Sequence, residues 1–189
     1  MNVGILASGG GSNALALIKA MQSGDINANP ALVLSNNSNA GVLQKSCDLG
    51  VPIDVVDHRP FKGDRAAFDA EIGQTLAKHQ IDVVCLAGFM RIMTEGFVRT
   101  WEGKMLNIHP SLLPKYTGLN THQRAIDAGD TKAGCTVHMV IPELDAGPIL
   151  GQREVDILPD DTSETLAARV LKEEHILYPA MLAAYINKQ

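Results

Sequence analysis

Val3-Gly4-Ile5-Leu6-Ala7-Ser8-Gly9-Gly10-Gly11-Ser12-Asn13 carries the chain from an apolar run over residues 3–7 into a glycine-rich loop, beyond which Leu15, Leu17, Ile18 and Met21 recur at helical spacing. The order is strand, glycine loop, helix, and it repeats. Residues 32–34 are strand-like, 42–49 helical, 53–56 strand-like, and 65–78 form a longer helical pattern with Phe68, Ile72 and Leu76 on one face. Residues 83–86 make a fully apolar fourth strand, a short helix closes over residues 97–101, and residues 105–108 form a fifth strand. Strands alternating with helices predict an α/β chain built on a mostly parallel, doubly wound, Rossmann-like sheet.

The pattern changes after Gly118. A helix over residues 121–128 is followed by two strand patterns, 135–141 and 149–155, whose connection holds Pro142 and Gly147-Pro148 and has no room for a crossover helix. These two strands are expected to be antiparallel neighbours, which makes the sheet mixed on one side. Asp161-Thr162-Ser163-Glu164 then starts a helix, and an amphipathic pattern of Leu166, Val170, Leu171, Ile176 and Leu177 follows, with an interruption expected near Pro179. No Ser/Pro-rich or charge-block linker divides the 189 residues, so one domain over 1–189 is expected.

Composition narrows the function. Apolar residues make up 46% and charged ones 20%, and the net charge of -5 offers no general basic surface for nucleic acid or an anionic membrane. A phosphorylated ligand needs a local site. The apolar run over residues 3–7 has no basic segment before it, and no run approaches the ~18 residues of a membrane span, so a cytoplasmic protein is expected. Cys47, Cys85 and Cys135 are widely spaced without a C-x-x-C pair and read as buried small residues. Six histidines show no metal-ligand spacing, and no metal is expected.

Gly9-x-Gly11-x-x-Ala14 formally satisfies a dinucleotide fingerprint, which makes a nicotinamide or flavin enzyme the first rival reading. Its second half is missing. The acidic residue expected ~20 residues on, at the end of the second strand, is replaced by Ser35-Asn36-Asn37. A single phosphate suits the loop better, because the backbone N–H groups of Gly11, Ser12 and Asn13, at the positive end of the helix they open, can hold a phosphomonoester without a lysine. The plain alternative is a tight turn with Ser12 or Asn13 as N-cap.

Leu106-Asn107-Ile108-His109-Pro110-Ser111-Leu112-Leu113-Pro114-Lys115-Tyr116 is where chemistry is expected. Asn107 and His109 lie two apart at a strand end, so both side chains project to one face. One supplies an amide donor, the other a switchable proton carrier, and Pro110 and Pro114 stiffen the loop beyond. Asn-Ile-His-Pro-Ser-Leu-Leu-Pro resembles the signature of the folate-dependent formyltransferases, and Lys115-Tyr116-Thr117-Gly118-Leu119-Asn120-Thr121-His122 is similar to the branch that acts on phosphoribosylglycinamide. Thr136-Val137-His138 followed by Leu144-Asp145-x-Gly147-Pro148 also matches the pattern, and the resemblance covers nearly the whole chain. Thr117 departs from it, standing where proline is usual, which predicts a less rigid loop over residues 115–118.

The resemblance implies a catalytic set of Asn107, His109 and Asp145, with the aspartate facing the histidine, where a carboxylate favours the imidazolium. It implies that Gly11, Ser12 and Asn13 hold the substrate phosphate and that Glu174 contacts the ribose. Met90, Arg91, Ile92 and Met93, with Arg65 and Asn107, would hold the co-substrate 10-formyltetrahydrofolate. Read alone, these residues are core packing, a solvated Arg91, a surface arginine and a helix-face charge. The implied reaction is formyl transfer from 10-formyltetrahydrofolate to the amine of phosphoribosylglycinamide in purine synthesis, without a metal or a covalent enzyme intermediate. The alternatives are another 10-formyltetrahydrofolate-dependent formyltransferase or hydrolase, for whose extra domains the length leaves no room, and a non-catalytic folate or nucleotide binding module. The implied partners are these two small molecules, with no nucleic acid and no membrane, and a homodimer is left open.

Overall fold

In the computed structural model, which describes residues 1–189, the first apolar run forms strand β1 (Asn2–Leu6) and the glycine loop opens helix α1 (Ser12–Gln22). The alternation continues as β2 (Asn29–Ser35), α2 (Gly41–Asp48), β3 (Ile53–Val55), α3 (Arg65–Lys78), β4 (Val83–Leu86), α4 (Glu95–Thr100) and β5 (Met105–His109). Then come α5 (Thr121–Asp127), the hairpin strands β6 (Lys132–Met139) and β7 (Ile149–Asp156), and α6 (Ser163–Ile186). All seven strands join one sheet in the order β3-β2-β1-β4-β5-β6-β7. Pairs among β1 to β5 are parallel, while β6 runs antiparallel to both β5 and β7. The expected mixed sheet is therefore observed.

The chain winds outward from β1 through β2 to β3, then returns to β4 on the other side of β1. That reversal opens a crevice at the carboxyl ends of β1 and β4. The two faces of the sheet are covered unequally. Val3 and Ile5 of β1, Cys85 of β4, Leu106 and Ile108 of β5, and Cys135 and Val137 of β6 belong to a core of 28 buried residues shared with α1, α2 and α6. The alternate residues Leu6, Val84 and Met105 face a smaller core of 11, shared with α3 and α4. By the period of two, Asn107, His109, Thr136 and His138 lie on this second face. The smaller core does not extend over them, which leaves polar side chains room to meet.

Helix α6 shows how a local rule is overruled. It runs unbroken through Pro179, although a proline inside a helix removes a hydrogen bond and costs ~3 kcal/mol. Leu166, Val170, Glu174, Tyr178, Leu182 and Ile186 form an inward row at four-residue spacing, all buried. Tyr178 is fully buried, and its hydroxyl lies 3.0 Å from the Leu86 carbonyl and 3.1 Å from that of Leu106, tying the second half of the helix to β4 and β5. Ile176, expected on the apolar face, is 52% exposed; Glu174 and Tyr178 occupy the inward row instead. Cys47 is exposed on α2, whereas Cys85 and Cys135 are buried as expected.

Candidate active site

The glycine loop leaves its backbone N–H groups free of protein acceptors: none of those of residues 9–14 meets one, and the ladder begins with Leu15 donating to the Gly11 carbonyl. No side chain caps α1, and its first turn carries no acidic residue. The N-cap readings of Ser12 and Asn13 therefore do not hold. Gly11 itself is required for a different reason. It has φ 74°, and an added Cβ would sit 2.2 Å from Cγ2 of Val42 at the start of α2. Asn13 points inward: its Nδ2 donates to Glu174 Oε2 at 2.6 Å, and its Oδ1 is buried without a partner. Burial pushes the Glu174 carboxyl above its ordinary range, against the Asn13 hydrogen bond and the nearby His109 charge, which pull it down. A carboxyl that protonates readily is a tolerable neighbour for a phosphate.

Ser8, at the end of β1, ties the crevice together. Its Oγ donates to Asn36 Oδ1 at 2.6 Å and accepts from the Met90 N–H at 2.7 Å. Asn36 Nδ2 in turn lies 3.2 Å from His58 Nδ1. A cavity of about 480 Å³ is lined here by Ser8, Asn36, Asn37, His58, Arg59, Met90 and Arg91. Met90 and Ile92 are 64% and 63% exposed, while Met93 is half-buried against the smaller core. Arg65 is exposed at the first position of α3 and does not line this cavity; Arg59, paired with Asp57, does.

Asn107, His109 and Asp145 converge. His109 is buried, and its Nδ1 lies 3.5 Å from Asp145 Oδ2, with 7% of each side chain exposed. That separation suits an ion pair better than a hydrogen bond. The hydrogen bond that orients the ring is elsewhere: Nε2 is 2.9 Å from the Tyr116 carbonyl, to which it must donate. Nδ1, beside the carboxylate, is thus the nitrogen left to gain and lose a proton. Asp145 adopts φ 52°, and its Oδ2 accepts the Gly118 N–H at 2.8 Å. The loop over residues 110–118 is further tied by Ser111 Oγ donating to the Lys115 carbonyl, Tyr116 Oη donating to Asp130, and Arg124 donating to the Thr117 carbonyl. A second cavity, of about 340 Å³, lies behind this loop and is lined by none of the three convergent residues.

His138 is the residue that sequence reasoning passed over. It pairs across the ladder with Asn107, whose Nδ2 lies 3.1 Å from its Nε2. In the sequence its motif serves only as a marker for Asp145; the two-residue step from Thr136 to His138 is the signal that places it on the site's face. Ser8 and Asn36 were likewise visible at strand ends, and the Tyr116 carbonyl, a backbone atom, left no trace in residue types.

The formyl transferase family profile matches residues 1–182. The trifunctional purine biosynthetic protein adenosine-3 of Drosophila melanogaster is 44% identical over 98% of this chain, which spans only 14% of that protein's length. The phosphoribosylglycinamide formyltransferase of Haemophilus influenzae is 43% identical, over 95% of this chain and 84% of its own. Among solved structures, the phosphoribosylglycinamide formyltransferase of Brucella melitensis superposes with a TM-score of 0.92 at 47% identity, covering 98% of this chain and 95% of that one. A formyltetrahydrofolate deformylase from Pseudomonas syringae also superposes, with a TM-score of 0.91 at 28% identity over 99% of this chain and 61% of its own. Fold alone therefore does not separate transfer from hydrolysis. Profile and relatives agree on the wider group: the chain belongs to the formyl transferase family.

Proposed function

We propose that this chain transfers the formyl group of 10-formyltetrahydrofolate to the primary amine of phosphoribosylglycinamide, giving the N-formyl product and tetrahydrofolate in purine synthesis. The observation that carries the proposal is the pairing of two features in one crevice: six unpartnered N–H groups at the end of β1, and a buried His109–Asp145 pair beside Asn107. The first suits a phosphate, the second an acyl transfer with proton movement. The amine nitrogen attacks the formyl carbon, and a C–N bond forms as the carbonyl becomes an oxyanion. Asn107 and the imidazolium of His109 stabilise that oxyanion. The proton leaving the amine passes to the departing folate nitrogen as its bond to the formyl carbon breaks, with His109 Nδ1 and Asp145 assisting.

Gly11, Ser12 and Asn13 would hold the phosphate, with Glu174 near the ribose. Met90, Arg91, Ile92 and Met93 would contact the folate. The catalytic set lies within one chain, so a homodimer is not required for the reaction. Neither nucleic acid nor membrane enters the proposal, and the two buried, unpaired cysteines Cys85 and Cys135 fit a reducing cytoplasm. Release of tetrahydrofolate, followed by ultraviolet absorbance with and without phosphoribosylglycinamide, tests it. Wild type should require the amine substrate, and Asn107→Ala or His109→Ala should lower kcat by ~10² to 10³-fold. Equal folate turnover without the amine would make the protein a hydrolase, and near-normal kcat in both variants would move the site elsewhere.

A further inference from the structure

His138 is 2% exposed on β6, on the sheet face that carries Asn107 and His109. Its two ring nitrogens are both engaged. Nδ1 lies 2.9 Å from the Met139 carbonyl, and Nε2 lies 3.1 Å from Asn107 Nδ2. A carbonyl only accepts, so Nδ1 carries the proton and Nε2 presents a lone pair. An amide nitrogen only donates, so the contact with Asn107 is satisfied by that tautomer and by no other. Asp145 Oδ1, at 3.8 Å from Nε2, is too far for a competing hydrogen bond. Burial, the largest influence, pulls the His138 ring below its ordinary value, in keeping with a ring that stays uncharged.

We infer that His138 is a positioning residue: anchored by the Met139 carbonyl, it accepts one N–H of Asn107 and so fixes which end of that amide meets the reacting carbonyl. An asparagine amide turned by 180° has nearly the same shape but offers an oxygen where an oxyanion needs a donor. Held as observed, Asn107 retains one free N–H and a free Oδ1 in fixed positions. The surroundings support the anchor. A register shift in the β6–β7 ladder falls between Val137 and His138, a feature that re-aims side chains beside sites. Gly147, two residues from Asp145, lies so close to the Met139 carbonyl that a Cβ there would overlap it. The Asp145 loop and the His138 anchor therefore share one carbonyl.

The catalytic part of this inference rests on the proposed formyl transfer; the tautomer and the contact do not. The test combines kinetics with NMR on ¹⁵N-histidine protein. His138→Leu should lower kcat by ~10 to 10²-fold with both KM values within about threefold, since a misplaced group costs orientation rather than binding. His138→Gln, whose amide oxygen can accept the same N–H, should recover part of the loss. In an Asn107→Ala background, His138→Leu should cost nothing further, because the residue acts through Asn107. Wild-type ring shifts should place the proton on Nδ1 with Nε2 bare, a measurement that stands even if His138→Leu does not fold. A proton on Nε2, multiplicative losses in the double variant, or wild-type kcat in His138→Leu would each overturn the inference. Absence of formyl transfer in wild type alongside the expected ring shifts would instead overturn the proposed reaction and, with it, the catalytic role alone.

Discussion

Asp145→Asn removes one charge and keeps the shape, which makes it the sharpest perturbation of the site. At 3.5 Å from His109 Nδ1, the carboxylate attracts an imidazolium by about 5 kcal/mol at an effective dielectric of about 20. Not all of that can appear in the rate, because some is already present when substrate binds. The Gly118 N–H, which Asp145 now accepts, can be accepted equally by an asparagine oxygen, so the loop should keep its place. That oxygen is also the one beside His109 Nδ1, so the asparagine nitrogen would take the Oδ1 place, 3.8 Å from His138 Nε2, and His109 would lose only the negative charge. Steady-state formyl transfer should show kcat reduced ~10² to 10³-fold, equivalent to about 3–4 kcal/mol, with KM for phosphoribosylglycinamide nearly unchanged. Both side chains are 7% exposed, so added salt should screen the pair little and the ratio to wild type should persist. A folded variant retaining kcat within threefold of wild type would refute the electrostatic role and leave Asp145 a turn residue.

Two further predictions concern the phosphate end. The folded state favours protonated Glu174, so the stability this group contributes is full below its unfolded value of about 4.3 and is lost as pH rises through the raised folded value. Glu174→Gln cannot ionise, so it should match wild type in Tm near pH 4 and exceed it at pH 8; a variant less stable than wild type at pH 8 would contradict the burial argument. Gly11→Ala combines a left-handed φ with a clash against Val42 and should lower the urea midpoint by an amount worth about 2 kcal/mol or more, whereas Gly10→Ala, with open space around it, should stay within about 0.5 kcal/mol of wild type. Equal midpoints for the two would mean that the loop yields to a side chain at Gly11.

The alternation of apolar runs determined the α/β class, the mixed sheet and the strand–glycine–helix opening, because each is encoded by neighbours within one turn or one pleat. The common face of Asn107 and His109 followed from the same period of two. Tertiary structure decided what lies across from them. The register of β5 against β6 set His138 opposite Asn107, and only the folded loop brought the Tyr116 carbonyl to His109. Helix α6 passes Pro179 because its inward row is buried and Tyr178 is anchored to two strands, a stabilisation summed over the core that no single-residue rule contains. The need for glycine at position 11 comes equally from Val42, 31 residues away in sequence, and not from the loop's own composition. Arg65 and Arg59 show the same limit: either reads as a surface cation, and only the packing of the turn after β3 brings Arg59, not Arg65, to the cavity wall. Periodicity is a local property and survives in one dimension, whereas cross-strand partners, close approaches and cavity walls arise from contacts between segments whose separation in sequence carries no record of their distance in space.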